Sequence, residues 1–331
     1  MSDHHQNDLF QQTHPLVIEH LRTMLNQERT TYCCPSDYLS HSQRRPLRSR
    51  LIDVPTVSED DRRAMCQWGL EIVDACQIDR SAACFAISYF DRFMDTNSKQ
   101  ATMALSSKRI FQLSFVSCLV IALKCRSGMI IDSDFVSGII CQNLYDQDEL
   151  FEAEKEILRA LKWRVNGPSP REFISYFMEL MPSIIKAKNP DLPARLTRLA
   201  ETRADCALLQ YSIVTSTAPS AIALAALWSA MRSMTAREFD PLDRLAFTQS
   251  IDMITGVSID DSNVQLVYSL INELVPGDPS YKTRVSFDGV DQFENHPLGA
   301  SGKCISPQCG YREICYTQFP DSEDHTPLCY F

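Results

Sequence analysis

Residues 107–125 read SKRIFQLSFVSCLVIALKC, a helix-length run with apolar side chains on nearly every face. A surface helix keeps a polar stripe, whereas a helix without one is enclosed by its neighbours on most sides. Residues 220–231, SAIALAALWSAM, repeat the pattern in the second half of the chain. Each run lies third among about five segments whose apolar residues recur at helical spacing, so the chain reads as a duplicated all-α fold. Its architecture is expected to be two tandem five-helix domains with flexible N- and C-terminal segments.

Outward from residues 107–125, the spacing predicts helices over 58–76, 80–94, 133–141 and 147–163. Ser58 with Asp61 forms a capping box at the first, which buries Met65, Trp68, Ile72 and Cys76. Gly69 sits inside that helix, where glycine costs about 1 kcal/mol relative to alanine, so a neighbouring helix is expected to approach closely. The polar residues 95–101 end the second helix. At Asn166-Gly167-Pro168 the pattern breaks, and Ser169-Pro170-Arg171-Glu172 supplies an N-cap, a first-turn proline and a capping-box glutamate. Further helices are expected over 171–181, 192–209, 220–234, 242–255 and 262–275. Residues 212–217 alternate like a strand but are too short to require a sheet.

The resulting division is an N-terminal segment, 1–54, with a helix near 15–28; a first domain, 55–165; a second domain, 169–275; and a tail, 276–331, without periodicity and expected to be disordered. The 331 residues suit about two domains. Lys and Arg number 32 against 42 Asp and Glu, and the net charge of −10 lacks the basic footprint that a phosphate backbone requires, so nucleic acid is not an expected partner. No secretory leader and no membrane-length apolar run is read, which places the chain in the nucleus or cytoplasm. The 13 cysteines are read mostly as small buried apolar residues.

Two pairs of charges fall on apolar faces. Glu154 lies in line with Leu150, Ile157, Leu158 and Leu161, and Lys124 ends the apolar run 107–125, where the helix dipole favours a cation. Arg62 sits one turn before Met65 on the buried face of its helix, and Asp91 interrupts the next between Ile87 and Met94. Periodicity leaves two readings open: ordinary boundary charges reaching solvent, or complementary pairs with a role.

These residues also carry a family resemblance. RRAMCQWGLEIVD from Arg62, FAISYFDRFMD from Phe85, LVIALK ending at Lys124 and FEAEKEILRALKW from Phe151 occur in the order and approximate spacing of the cyclin box. The second half, through TAPSAIALAALWSAM, resembles the weaker C-terminal cyclin fold, and MLNQERTTYCCPSDYL resembles the N-terminal helix of D-type cyclins, although their LxCxE motif is missing.

The resemblance implies a non-catalytic subunit that binds and activates a cyclin-dependent serine/threonine protein kinase in cell-cycle control, with no cofactor. Lys124 and Glu154 match the pair that contacts the kinase's regulatory helix, and Arg62 and Asp91 match a structural ion pair. Substrates or inhibitors with short docking motifs would meet a patch at Asp61, Ala64, Met65, Trp68, Glu71, Phe111 and Gln112. Here Asp61 replaces a common methionine, and Ala64 is smaller than the usual aliphatic residue.

The alternatives are a helical scaffold or a TFIIB-like protein, which shares the repeat but binds DNA; acidity and the lack of a zinc ribbon oppose the latter. An enzyme is disfavoured because the seven histidines are read outside the helical core and Gly299 to Lys303 is too short for a phosphate loop. Cys304, Cys309, Cys315 and Cys329 fit no common zinc spacing, so no metal is expected. Arg44-Arg45-Pro46-Leu47 matches a minimal RxxL destruction signal, and residues 44–50 are basic enough for a nuclear address.

Overall fold

The computed structural model describes residues 15–43, 57–96, 98–126, 135–141 and 144–274. The tail and residues 44–56 lie outside the described residues, and with them the tail cysteines, the RxxL match and the basic run. Every regular element among the described residues is helical. In chain order these are α1 (Pro15–Thr30), α2 (Tyr38–Gln43), α3 (Glu59–Ala75), α4 (Ser81–Met94), α5 (Lys99–Ala104), α6 (Lys108–Arg126) and α7 (Gln147–Ala160). The second half continues with α8 (Pro170–Glu179), α9 (Ser183–Lys188), α10 (Leu192–Leu208), α11 (Tyr211–Val214), α12 (Pro219–Ser233), α13 (Pro241–Thr255) and α14 (Ser262–Leu274).

The all-apolar run becomes α6, with every residue from Phe111 to Leu123 buried. It packs against α3, α4, α5 and α7. Aromatic rings set the spacing: Phe90 of α4 meets Phe111 and Phe115 edge-on at 4.8 and 5.2 Å, and Trp68 of α3 meets Phe115 at 6.3 Å. Gly69 lies at this crossing, where a β-carbon would stand 2.8 Å from Cε1 of Phe115. The close approach expected from its position is therefore present, and it explains why alanine is absent. The Ser58–Asp61 capping box forms at the start of α3, and Asp61 additionally accepts from Lys108 Nζ at 3.0 Å. The Ser169–Glu172 box likewise opens α8.

Several local expectations shift. The polar stretch 95–101 does end α4, but Ser98 caps a new short helix, α5, by accepting from the Ala101 amide. The segment expected as a helix over 133–141 is a π-helical turn, Phe135–Ile140. The alternating residues 212–217 fall in and just after the helical turn α11. Helix α7 stops at Ala160 rather than Trp163, because Lys162 and Trp163 both take positive φ, 54° and 59°. Of the described cysteines, Cys66, Cys84, Cys118 and Cys141 are buried, and burial pushes the Cys66 and Cys141 thiols up to about 12. They act as packing groups.

Buried side chains form two cores. One holds α3 to α7 together with Tyr38 and Leu39 of α2; the other holds α8 to α10 and α12 to α14. Two segments cross between them. Helix α1 places Ile18, Leu21, Met24 and Leu25 in the second core, while Leu208, Leu209, Tyr211 and Val214 join the first. At this junction the fully buried Arg62 donates from Nε and Nη2 to Asp91, both at 2.7 Å, and to the carbonyls of Leu208 and Leu209 at 3.1 and 3.2 Å. The Tyr38 hydroxyl donates to Asp91 at 2.8 Å, and the Leu39 amide donates to the Tyr211 hydroxyl at 2.9 Å. Burial, and after it the Asp91 charge, push the Tyr38 phenol well up, so it stays a donor.

A second network repeats the theme at the surface of the junction. Arg171 of α8 grips Asp205 of α10 in a fork at 2.8 and 2.9 Å, and Arg80, which also holds Asp74, reaches Asp205 at 3.2 Å. Replacing Arg62 with Met leaves Asp91 and two buried carbonyls without their donor, and is expected to cost about 3–5 kcal/mol. An Arg62→Met, Asp91→Leu double variant should recover part of that loss, because the unpaired buried charge is gone. Urea unfolding followed by helical circular dichroism measures both.

Candidate functional site

Helix α7 is set against α6 at its start. Asp146 and Glu149 form its capping box, and Glu149 also accepts from Arg109 of α6 at 2.7 and 3.0 Å. The Arg109 guanidinium stacks 4.9 Å over the ring of Tyr145, whose hydroxyl donates to the Arg109 carbonyl at 3.0 Å. The Arg109 hydrogen bonds to Glu149 hold that carboxyl below its usual range. These contacts fix the roll of α7, so that Glu154 faces the end of α6.

There Lys124 Nζ donates to both Glu154 oxygens, at 2.8 and 3.0 Å. The two charges form a pair rather than reaching solvent separately. The Glu154 side chain is 14% exposed and that of Lys124 46%, so the carboxylate sits in a shallow recess under an ammonium open to solvent. Such a pair stabilises the fold little, since water screens the exposed partner.

Its surroundings are unusual for a solvated face. Phe151, three residues before Glu154, is 63% exposed, with the Lys155 ammonium 5.7 Å from its ring centre. Phe151, Glu154 and the half-buried Leu158 follow one another along one face of α7. Trp163, just beyond the helix, is 68% exposed. Its positive φ and that of Lys162 cost roughly 1–2 kcal/mol each for residues with a β-carbon. Lone exposed apolar residues are ordinary; here Phe151 stands one turn from Glu154, and Trp163 is exposed on strained backbone. Sequence reading did not single out Phe151 or Trp163; the available signal was Phe151 lying off the buried stripe.

Arg62 and Asp91 form the buried pair described above and are remote from solvent. The seven patch positions separate. Asp61, Ala64, Met65, Trp68, Phe111 and Gln112 are buried, and Glu71 alone is exposed, where it accepts from Gln67 at 3.0 Å. Met65, Trp68 and Phe111 are core residues of the first half. Gln112 lies 3.4 Å from the Tyr145 hydroxyl, and the Trp68 indole N–H is buried without an acceptor. The site residues read from the sequence are therefore in three places: an ion pair at the rim, a clasp at the junction, and a set largely inside the core.

No cluster of potential metal ligands occurs among the described residues, and none of their helices is long and apolar enough to cross a membrane. Of the histidines, His20 lies on α1 and His41 on α2; His20 is exposed and stacks on Tyr176 of α8 at 4.5 Å between ring centres.

Two helical cores, the first carrying a recessed lysine–glutamate pair, define an all-α fold among the described residues. Residues 20–166 match the family model of the cyclin N-terminal domain. The chain is 24% identical over 209 residues to cyclin-B1-4 of Arabidopsis thaliana, covering 62% of this chain and 48% of that one. It is 26% identical over 163 residues to the G1/S-specific cyclin-D1 of Xenopus laevis, covering 49% of each. Over residues 20–166 the chain is thus similar to the cyclin N-terminal domain. It spans about half the length of these curated relatives. A viral cyclin from herpesvirus saimiri shares the fold, with a TM-score of 0.51 at 20% identity over 72% of this chain and 97% of that one.

A double-mutant cycle tests the energetic reading of the pair. Lys124→Ala alone should cost at least as much as the Lys124→Ala, Glu154→Ala double variant, with a coupling of about 0.2–1 kcal/mol. Urea midpoints for the four proteins at low and high salt measure it, and the coupling should shrink at high salt.

Proposed function

We propose that this chain binds and activates a cyclin-dependent serine/threonine protein kinase in control of cell division, in the nucleus or cytoplasm, and that it contributes no chemistry of its own. The observation that carries this reading is the Lys124–Glu154 pair, recessed at the surface of the first core with the exposed Phe151 one turn away. A mobile helix of the kinase would lay its apolar residues against Phe151 and Trp163 and its polar groups against the pair. Glu154 retains acceptor capacity and Lys124 retains donor capacity toward such a helix.

Holding that helix inward lets the kinase bring its own lysine and helix glutamate together around ATP. Activation of this kind is a population shift, and its size equals the difference in affinity for the active and inactive kinase. Strain at Lys162 and Trp163 fits the role, because an aromatic held out from the fold before binding spends little further entropy on docking. The docking of short substrate or inhibitor motifs is a subsidiary proposal. It would require the surface over Met65 and Trp68 to open, leaving Glu71 as the ready contact.

The test is affinity purification of the tagged full chain from its native cells, followed by assay of the eluate for histone kinase activity. A kinase is expected with the wild-type chain. The Lys124→Ala, Glu154→Ala variant should lose most of it while keeping its helical circular dichroism. Trp163→Ala should weaken kinase binding about tenfold or more, as truncation of an anchoring aromatic does. Full kinase recovery with both variants overturns the assignment of this surface, and the absence of any kinase from the wild-type eluate overturns the function.

A further inference from the structure

Helix α7 pairs its own exposed charges until it ends. Glu152 holds Lys155 at 2.9 Å and Glu156 holds Arg159 at 2.7 Å, one helical turn apart in each case. Beyond the helix, Lys162, Trp163 and Arg164 are all exposed, and neither cation enters an ion pair among the described residues. Two cations on either side of an open indole make a basic, aromatic tip on a chain whose net charge is −10.

The tip is held in place by its backbone. The Lys162 amide donates to the Arg159 carbonyl at 3.0 Å and the Trp163 amide to the Leu158 carbonyl at 2.8 Å, the two bonds of a Schellman helix end. The Arg164 amide donates to the Leu161 carbonyl at 3.1 Å, and the Tyr89 hydroxyl of α4 donates to the Val165 carbonyl. Such an end favours glycine at its left-handed position, yet Lys162 stands there at φ 54° and Trp163 follows at 59°. Glycine would keep the same bonds without the steric cost of a β-carbon. Fold stability therefore does not account for the lysine, whereas a cation mounted on this fixed turn reaches a partner with little backbone left to order.

We propose that Lys162 and Arg164 select the partner by charge, and that the segment meeting Trp163 carries carboxylates on either side of an apolar residue. This rests on the kinase reading above and adds to it the chemistry of the kinase segment at the end of α7. Charges at the rim of an interface steer encounter and exclude partners of like sign more than they add affinity. A kinase presenting a basic segment here is rejected, and salt weakens the discrimination.

The experiment uses the tagged full chain purified from its native cells, with recovered kinase activity measured at low and at high salt. A Lys162→Glu, Arg164→Glu variant should keep its helical circular dichroism and recover about tenfold less kinase at low salt, with the gap to wild type closing at high salt. Trp163→Ala should lose binding at both, because an apolar contact is not screened. Lys162→Gly separates binding from folding: its unfolding midpoint should be no lower than that of the wild type, yet it should recover less kinase at low salt. Kinase recovered by the wild type and undiminished in the Lys162 variants overturns this inference alone. So does a loss in the charge-reversed variant that is equal at both salts, or a lowered midpoint for Lys162→Gly. No kinase in the wild-type eluate overturns the function on which the inference rests, and the inference with it.

Discussion

The buried Arg62 guanidinium is the point on which both halves of the molecule close. Its fork holds Asp91 and so joins α3 to α4, while its remaining donors hold the carbonyls that end α10. Desolvating such a group is expensive, and the cost is offset only because the fork, the Tyr38 hydroxyl and two carbonyls together satisfy nearly every lone pair and proton at the site. An apolar side chain of similar volume would fill the space, but it would not oblige the second half to present Leu208 and Leu209 here. The clasp therefore fixes relative placement as much as it contributes stability.

The rim site depends on that frame and contributes little to it. Lys124 and Glu154 lie on α6 and α7, whose mutual roll is set by Arg109, Tyr145 and the capping box at Glu149. A charge pair with one partner nearly half exposed gains little in folding, so the role proposed for it lies in what it would offer a partner. Trp163 argues in the same direction. Folding alone would not place a tryptophan on left-handed backbone in solvent, since both the strain and the exposed area oppose it.

Local codes were legible in the sequence. The all-round apolar runs gave α6 and α12, and Ser58–Asp61 and Ser169–Glu172 gave helix starts that the structure realises as reciprocal caps. Periodicity marked Glu154 as a carboxylate on an apolar stripe but left a solvated boundary charge and a pair with Lys124 both open, and only the resemblance favoured the pair. Short-range detail was lost where one residue decided it. Ser98 starts α5 inside a polar stretch, and two positive φ angles end α7 early. Long-range placement was not legible at all. Nothing in the periodicity of α1 says that it packs in the second core, or that the Arg62 donors reach carbonyls 146 and 147 residues away. Met65 and Trp68 of the patch are buried in the first core, as their helical spacing implied, and their use in docking remains a proposal.

Asp91 and Arg92 are neighbours in sequence and opposite in circumstance, and the contrast follows from helix geometry. Successive residues on a helix diverge by about 100°, so Asp91 faces α3 and meets Arg62, while Arg92 is turned toward the end of α1. On its side lie the ring of Tyr32, which approaches Gly167 closely, and the starts of two helices capped by the carboxylates of Glu172 and Glu28. A cation whose Nη1 finds no acceptor there is tolerated at a cost, eased by the face of the Tyr32 ring.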